Sequence, residues 1–245
     1  MVKKHLVLLL GLIIAVPFVS PQEAVLLDFS LLQSDTQSSP GRNENQHTMS
    51  EISVGSRTVL TSYAINNWDI ELAATLRSVE GLSLSQVRET PSRLYGAVLG
   101  VRIFFSPEVS RLNTWARIRP PFAIPLDDPR FENGYGLIRD ERGIRPKAIS
   151  VYTNGLNYPV SLSLNLIFNE TETRTIFIGD LNYEGWRELT WINPDHAREV
   201  FNNTGVYNTI RFESFLIRND TTHSGDTVVY IRDIRIIYDI DEDEE

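Results

Sequence analysis

Apolar and polar residues alternate along most of this chain. In PVSLSLNLIF, Leu162, Leu164, Leu166 and Phe168 fall on one face, with Ser161, Ser163 and Asn165 on the other. A period of two marks a strand with one buried face, as in an antiparallel sheet. VLGVRIFF reads the same way: Val101, Ile103 and Phe105 alternate with Arg102 and Phe104. KAISVYT puts Ile149 and Val151 together, and AINNWDIELA groups Trp68, Ile70 and Leu72 opposite Asp69 and Glu71. NTIRFESFLIRN sets Ile210, Phe212 and Ser214 against Arg211, Glu213 and Phe215. TVVYIRDIRIIYD predicts a common face for Val228, Tyr230, Ile234, Ile236 and Tyr238, and residues 24–32, AVLLDFSLL, predict an opening strand.

Turn chemistry separates these runs. Asn133-Gly134, Asn154-Gly155, Gly225-Asp226 and the prolines at 107, 120, 121, 125 and 129 all interrupt the alternation. Strands at this spacing with polar connections predict an all-β fold, an antiparallel β-sandwich or jelly roll. Helix signals are confined to one or two short segments. Asn193 can cap a helix with Pro194 at its first position, running to Phe201, and a second turn is expected over Ser83 to Glu89. The proline-rich RIRPPFAIP reads as an extended crossing at a sheet edge, with a groove-binding ligand as the alternative.

The ends and one internal stretch depart from this pattern. Residues 1–24 have the anatomy of a secretory signal: basic Lys3, Lys4 and His5, then an apolar run from Leu6 to Val19, with cleavage expected near 20–24. That run is too short to span a membrane, and no second long apolar run follows. The expected product is an exported protein of one β-sandwich domain, 24–239. Within it, 33–57 is polar and is expected to be a mobile loop. Residues 240–245 are expected to form an acidic tail, closing the run DIDEDEE.

Composition narrows the chemistry. The chain has 245 residues, no cysteine and a formal net charge of -9. Cross-linking chemistry therefore does not hold an exported fold of this size together, and bulk binding to nucleic acid or anionic lipid is disfavoured. His47, His196 and His223 lack partners at metal-ligand spacing and read as surface histidines. Asp239, Asp241 and Asp243 begin like a calcium loop, but the required glycine and final glutamate have no place to follow. Glu170, Glu172, Asp180, Glu184 and Glu188 are carboxylates of turns and solvent faces, where a glycosidase pair would have to be found. No nucleophile elbow or nucleotide loop occurs, so neither an enzyme nor a cofactor is expected.

NYEGWRELTWINP holds two of the four tryptophans. Trp186 and Trp191 are an odd number of positions apart, so a regular strand aims them at opposite faces. Arg187, Leu189 and Trp191 share one face, and Trp186, Glu188 and Thr190 share the other. Leu189 and Trp191 make the more apolar pair and are assigned with Trp68 to the core. Trp186, with Arg187 and Glu188, is assigned to a protein interface, as a partly exposed aromatic anchor. A bulge at Gly185 that turns Trp186 inward is the alternative.

Taken in order, INNWDIEL, VLGVRIFF, IRPPFAIP, GYGLI, ISVYTNGLNYPVSLSLNLIF, GDLNYEGWRELTWINP and IRFESFLIR…VYIRDIRIIYD resemble a known family. It is that of the flagellar filament outer layer, or sheath, proteins of spirochaetes, FlaA, and this chain is similar to its shorter paralogues. The resemblance implies a jelly-roll sandwich similar to carbohydrate-binding modules. It also implies a non-enzymatic coat protein of the periplasmic flagellum, tuning filament curvature or stiffness. Its implied partners are flagellin core subunits, other sheath proteins and copies of itself, with no nucleic acid and no membrane after signal removal. A periplasmic carbohydrate-binding module is the alternative that the same fold would support.

Overall fold

The computed structural model describes residues 21–33, 49–54, 57–108, 114–219 and 223–240, with the backbone alone for 49–54 and 57–61. The expected leader (1–20), most of the polar segment (34–48 and 55–56) and the acidic residues 241–245 lie outside the described residues. In chain order the strands begin with β1 (Gln22–Asp28), β2 (Met49–Val54), β3 (Arg57–Ser62) and β4 (Asp69–Leu72). Helix α1 (Val79–Leu84) leads into β5 (Gln86–Ser92), β6 (Gly96–Phe105), β7 (Thr114–Arg119) and β8 (Leu137–Asn154). Then follow β9 (Ser161–Phe168), β10 (Glu172–Asp180), β11 (Trp186–Ile192), helix α2 (His196–Phe201), β12 (Tyr207–Asn219) and β13 (Gly225–Ile240).

These strands form two antiparallel layers. The first runs β5–β6–β13–β8–β11, with β1 taking the place of β6 beside the second half of β13. The second runs β4–β7–β12–β9–β10, with the start of β8 beside the first residues of β12. The chain passes back and forth between the layers, as a jelly roll does. The fold is thus the all-β sandwich that the alternation predicts. Strand β8 belongs to both layers: residues 137–139 pair with β12, and 144–154 pair with β13. It turns the corner at Asp140–Gly143. Gly143 there takes φ 95°, a left-handed conformation that side chains resist, and Asp140 clamps Arg142 through contacts at 3.0–3.1 Å. β2, inside the stretch 33–57 expected to be a loop, instead pairs with β3, which begins at the last residue of that stretch, as a separate small sheet.

The core lies between the layers. Leu99, Val101, Ile103 and Phe105 of β6 and Ile149 and Val151 of β8 are buried from one side, and Leu162, Leu164, Leu166 and Phe168 of β9 from the other. Trp68 is 5 % exposed and its ring meets Phe29 at 5.1 Å and Phe212 at 5.8 Å, while its Nε1 donates to Tyr63 O at 3.1 Å. Phe122 and Ile124 of the RIRPPFAIP run turn onto this core. Phe122 meets Tyr63 at 5.3 Å and Ile124 is buried, so the prolines stiffen a segment that packs on the chain's own core.

Simple alternation fails at two bulges. One between Ile231 and Asp233 reverses the phase of β13, so Val229 and Ile231 are buried rather than Val228 and Tyr230. One between Phe212 and Ser214 lets Phe212, Phe215 and Ile217 of β12 all be buried. Helix α1 also starts earlier than expected, because Ser78 caps it by accepting from Gly81 N at 3.0 Å. β13 continues through Ile240, which pairs with Ile144 and is buried, so 240 belongs to the sandwich rather than to the expected tail. The two described histidines are engaged. His196 Nε2 lies 2.9 Å from Asp239 Oδ2, and His223 Nε2 lies 3.0 Å from Thr227 Oγ1, with its ring 5.5 Å from Tyr158.

Two outcomes follow for stability. Trp68→Ala removes a buried indole from an aromatic cluster and is expected to cost about 3–5 kcal/mol, read from chemical denaturation. Burial holds the His223 imidazole below its ordinary value of 6.5, so the folded state favours the neutral ring. As pH falls through 6.5 the unfolded chain takes up a proton before the folded one does, and stability drops. The denaturation midpoint of wild type is expected to fall more between pH 8 and pH 5.5 than that of His223→Gln. Parallel pH profiles would contradict this assignment.

Candidate interaction surface

Strand β11 is an edge strand, paired with β8 and on its other side with no described strand. Its alternation is regular. Leu189 and Trp191 pack against the core, and Trp186, Glu188, Thr190 and Ile192 take the other face. Trp191 is half-buried rather than enclosed, because an edge strand has a neighbour on one side only. Leu189 is half-buried for the same reason. Arg187 is exposed and lays its guanidinium over the Tyr183 ring at 4.4 Å, and Glu188 is exposed without a described ion pair.

Trp186 does not stand alone on the outer face. The β11–β8 register sets Glu188 opposite Tyr152, which makes Trp186 a diagonal neighbour of Tyr152. The two rings stack at 5.5 Å with planes 11° apart. Tyr95, from the turn between β5 and β6, closes against both, edge-on to Trp186 at 5.1 Å and to Tyr152 at 5.6 Å. The Tyr95 and Tyr152 hydroxyls are 3.1 Å apart. Arg232 of β13 covers the group, 4.6 Å from the Tyr95 ring centre and 5.5 Å from that of Tyr152. The hydrogen bond to Tyr95, then burial, hold the Tyr152 phenol above its usual range, so it stays protonated. Arg232 also lies 3.5 Å from Asp233, whose carboxyl burial pushes up while Arg235 and Arg232 pull it back. Rings from two strands and a turn are thereby locked into a rigid, half-exposed aromatic plate, with a cation from a third strand over it. Such a plate loses little freedom on contact with a partner, which suits an interface anchor.

The inner side of β11 faces a groove of about 440 Å³ between β10 and β11, walled by Phe168, Phe177, Trp191 and Tyr207. Arg174 lies 5.1 Å from the rings of both Phe168 and Tyr207. Asn193 donates to Glu199 Oε2 at 2.8 Å and to Pro146 O at 2.9 Å, fixing the base of α2. Neighbouring elements carry exposed apolar side chains: Phe177 at 56 %, Ile192 at 71 % and Phe201 at 89 % exposure. Edge strand β10 is bulged between Phe177 and Gly179. Sequence reasoning found Trp186 by its odd spacing from Trp191. It missed Tyr95, Tyr152, Arg232 and the groove, since only the long-range register brings them together. Among the described residues no group of three or more His, Cys, Asp or Glu side chains could hold a metal ion. No helix of the described residues is long and apolar enough to cross a membrane.

Residues 30–243 match the family model described as "Flagellar filament outer layer protein Flaa". The chain is 30 % identical to a flagellar filament outer layer protein of Treponema pallidum (strain Nichols), over 89 % of this chain and 75 % of that protein. It is 36 % identical to one of Spirochaeta aurantia, over 73 % of this chain and 60 % of the relative. A third, from Borreliella burgdorferi, is 26 % identical, over 74 % of this chain and 57 % of the relative. Among solved structures, TmCBM61 in complex with β-1,4-galactotriose overlaps with a TM-score of 0.37 at 8 % identity, covering 70 % of this chain and 88 % of that one. Caldicellulosiruptor saccharolyticus CBM27-1 in complex with mannohexaose gives 0.34 at 11 % identity, covering 73 % and 92 %.

If the plate is a surface feature rather than core, its loss is mild. Trp186→Ala is expected to cost about 1–2 kcal/mol, the worth of one stacked and one edge-on ring pair. It should also remove the Trp186 contribution to near-ultraviolet dichroism. A loss as large as that of Trp68→Ala would make Trp186 a packing residue.

Proposed function

Because this chain belongs to the FlaA family of flagellar filament outer layer proteins, we propose that it is a structural component of the outer layer of the periplasmic flagellum. In this reading it is exported and laid along a core of flagellin, beside other sheath proteins and copies of itself. There it acts without enzymatic chemistry, tuning filament curvature or stiffness. The family match over 30–243 carries the proposal. The Tyr95–Tyr152–Trp186–Arg232 plate supports it, as a preorganised anchor for a protein contact, flanked by the exposed Arg187 and Glu188.

A second reading, carbohydrate binding, draws on the β10–β11 groove. There the half-buried Trp191 and Phe177 stand beside Asn193, Glu199 and Arg174, a pairing of aromatic walls with hydrogen-bonding groups that suits a sugar ring.

The two readings predict different losses. A strain lacking the protein is expected to keep its flagellin cores but to show altered filament curvature and weaker motility. Folded Trp186→Ala protein is expected to co-sediment less with sheared filaments, whereas Trp191→Ala is expected to retain co-sedimentation. Normal filament shape and swimming in the deletion strain would refute the sheath role. Saturable binding of soluble oligosaccharides, lost in Trp191→Ala, would favour the second reading.

A further inference from the structure

Between the loop Pro120–Ile124 and strands β9 and β12 lies a pocket of about 310 Å³. Its ionisable lining groups are Asp69, Arg119, Arg211 and Glu213. Three of these are committed. Arg119 Nη2 lies 3.3 Å from Asp69 Oδ2. Glu213 accepts from Ser214 Oγ, which in turn accepts from Asn165 Nδ2 at 2.8 Å.

Arg211 is different. Its Nη1 donates to Ile124 O at 2.9 Å, but its Nε is buried and has no acceptor. It forms no ion pair with any described carboxylate. Arg117, on β7, also has a buried Nε without an acceptor, yet it is paired with Glu71 at 3.6 Å. The Tyr63 hydroxyl, in the field of Arg211, is likewise buried and unpartnered, and burial pushes its phenol well up. An unpaired cation with a dry donor is unfavourable unless an acceptor arrives from outside the chain.

We propose that this pocket binds a carboxylate group, taken up on the Nε edge of Arg211. The guanidinium fork matches the two oxygens of a carboxylate side-on, and here one arm of that fork is free. Charge selects the ligand further. Asp69 and Glu213 in the lining repel a doubly charged phosphate more than a single carboxylate. Pro121, Phe122 and Ala123 supply an apolar wall for the carbon stem that carries it. An aspartate or glutamate side chain of a partner protein and a uronic acid share this chemistry.

The test follows Arg Nε–Hε resonances of the 15N-labelled exported protein. Arg211→Lys, which has no Nε–H of this kind, assigns the signal. Sodium acetate, N-acetylglutamate α-amide and sodium glucuronate are added in turn, with sodium chloride at equal ionic strength and methyl phosphate as controls. The Arg211 signal is expected to move and saturate at millimolar carboxylate, as for a single charged contact, and to move little with the controls. Tighter binding of the glutamate derivative identifies a protein side chain as the source, and tighter binding of glucuronate an acidic sugar. Arg211→Lys is expected to weaken binding at least about tenfold, read from the backbone amides of Phe122, Ala123 and Ile124, because lysine keeps the charge without the fork. A signal that follows chloride as closely as carboxylate would overturn the proposal, and that wild-type titration decides it even if Arg211→Lys fails to fold.

Discussion

Strand β8 is the constraint on which the other parts of this molecule depend. It lies in both layers, beside β12 at its start and between β13 and β11 thereafter. Few geometries let one strand do this. The bend at Asp140–Gly143 needs a glycine with positive φ and a local clamp to hold the corner, and both are present. Once β8 is fixed, β11 has one possible neighbour and becomes an edge. The half-burial of Trp191, the exposure of Ile192 and the diagonal meeting of Trp186 with Tyr152 all descend from that single placement.

The electrostatics of the outer face are organised around the same layer. Asp233 is almost fully buried at the bulge of β13, where an isolated carboxylate would be costly. Arg232 and Arg235 offset that cost from either side, and Arg235 also reaches Glu23 at 2.8 Å. Arg232 therefore has two roles, partnering a buried carboxylate and capping a pair of tyrosine rings. The bulge that disrupts the alternation of β13 is what puts Arg232 within reach of both.

Much of the sandwich was legible in the sequence because period two is a local property. Val101, Ile103 and Phe105 of β6 alternate with half-buried Arg102 and Phe104 as expected, and the odd spacing of Trp186 and Trp191 does separate them onto two faces, whereas β9 is buried on both faces, Ser161, Ser163 and Asn165 included. The bulges were not legible, since one added residue leaves an apolar run looking continuous while reversing its phase. Nor was the plate. Tyr95 and Tyr152 are 57 positions apart, and nothing near either residue announces the other. The polar stretch 33–57 concealed β2 because Met49, Ile52 and Val54 are its only large apolar residues, too few and too unevenly spaced to make a period of two stand out. Trp191 packs against the core at less depth than alternation alone implies, because burial depends on whether a strand is central or at the edge, and that is decided by topology.

The bulge in β10 carries a consequence for crowding. A chain packed beside copies of itself offers every free strand edge as a seed for endless hydrogen-bonded growth, the route to fibres that do not come apart. β10 is kinked between Phe177 and Gly179, and its open flank carries charged Glu172, Arg174 and Asp180. An edge so shaped cannot template a straight neighbour. At this edge of the proposed coat, an adjacent molecule is left to meet β10 through side chains, and contacts of that kind slip and re-form. A layer built in this way can shear as the rod beneath it bends and turns.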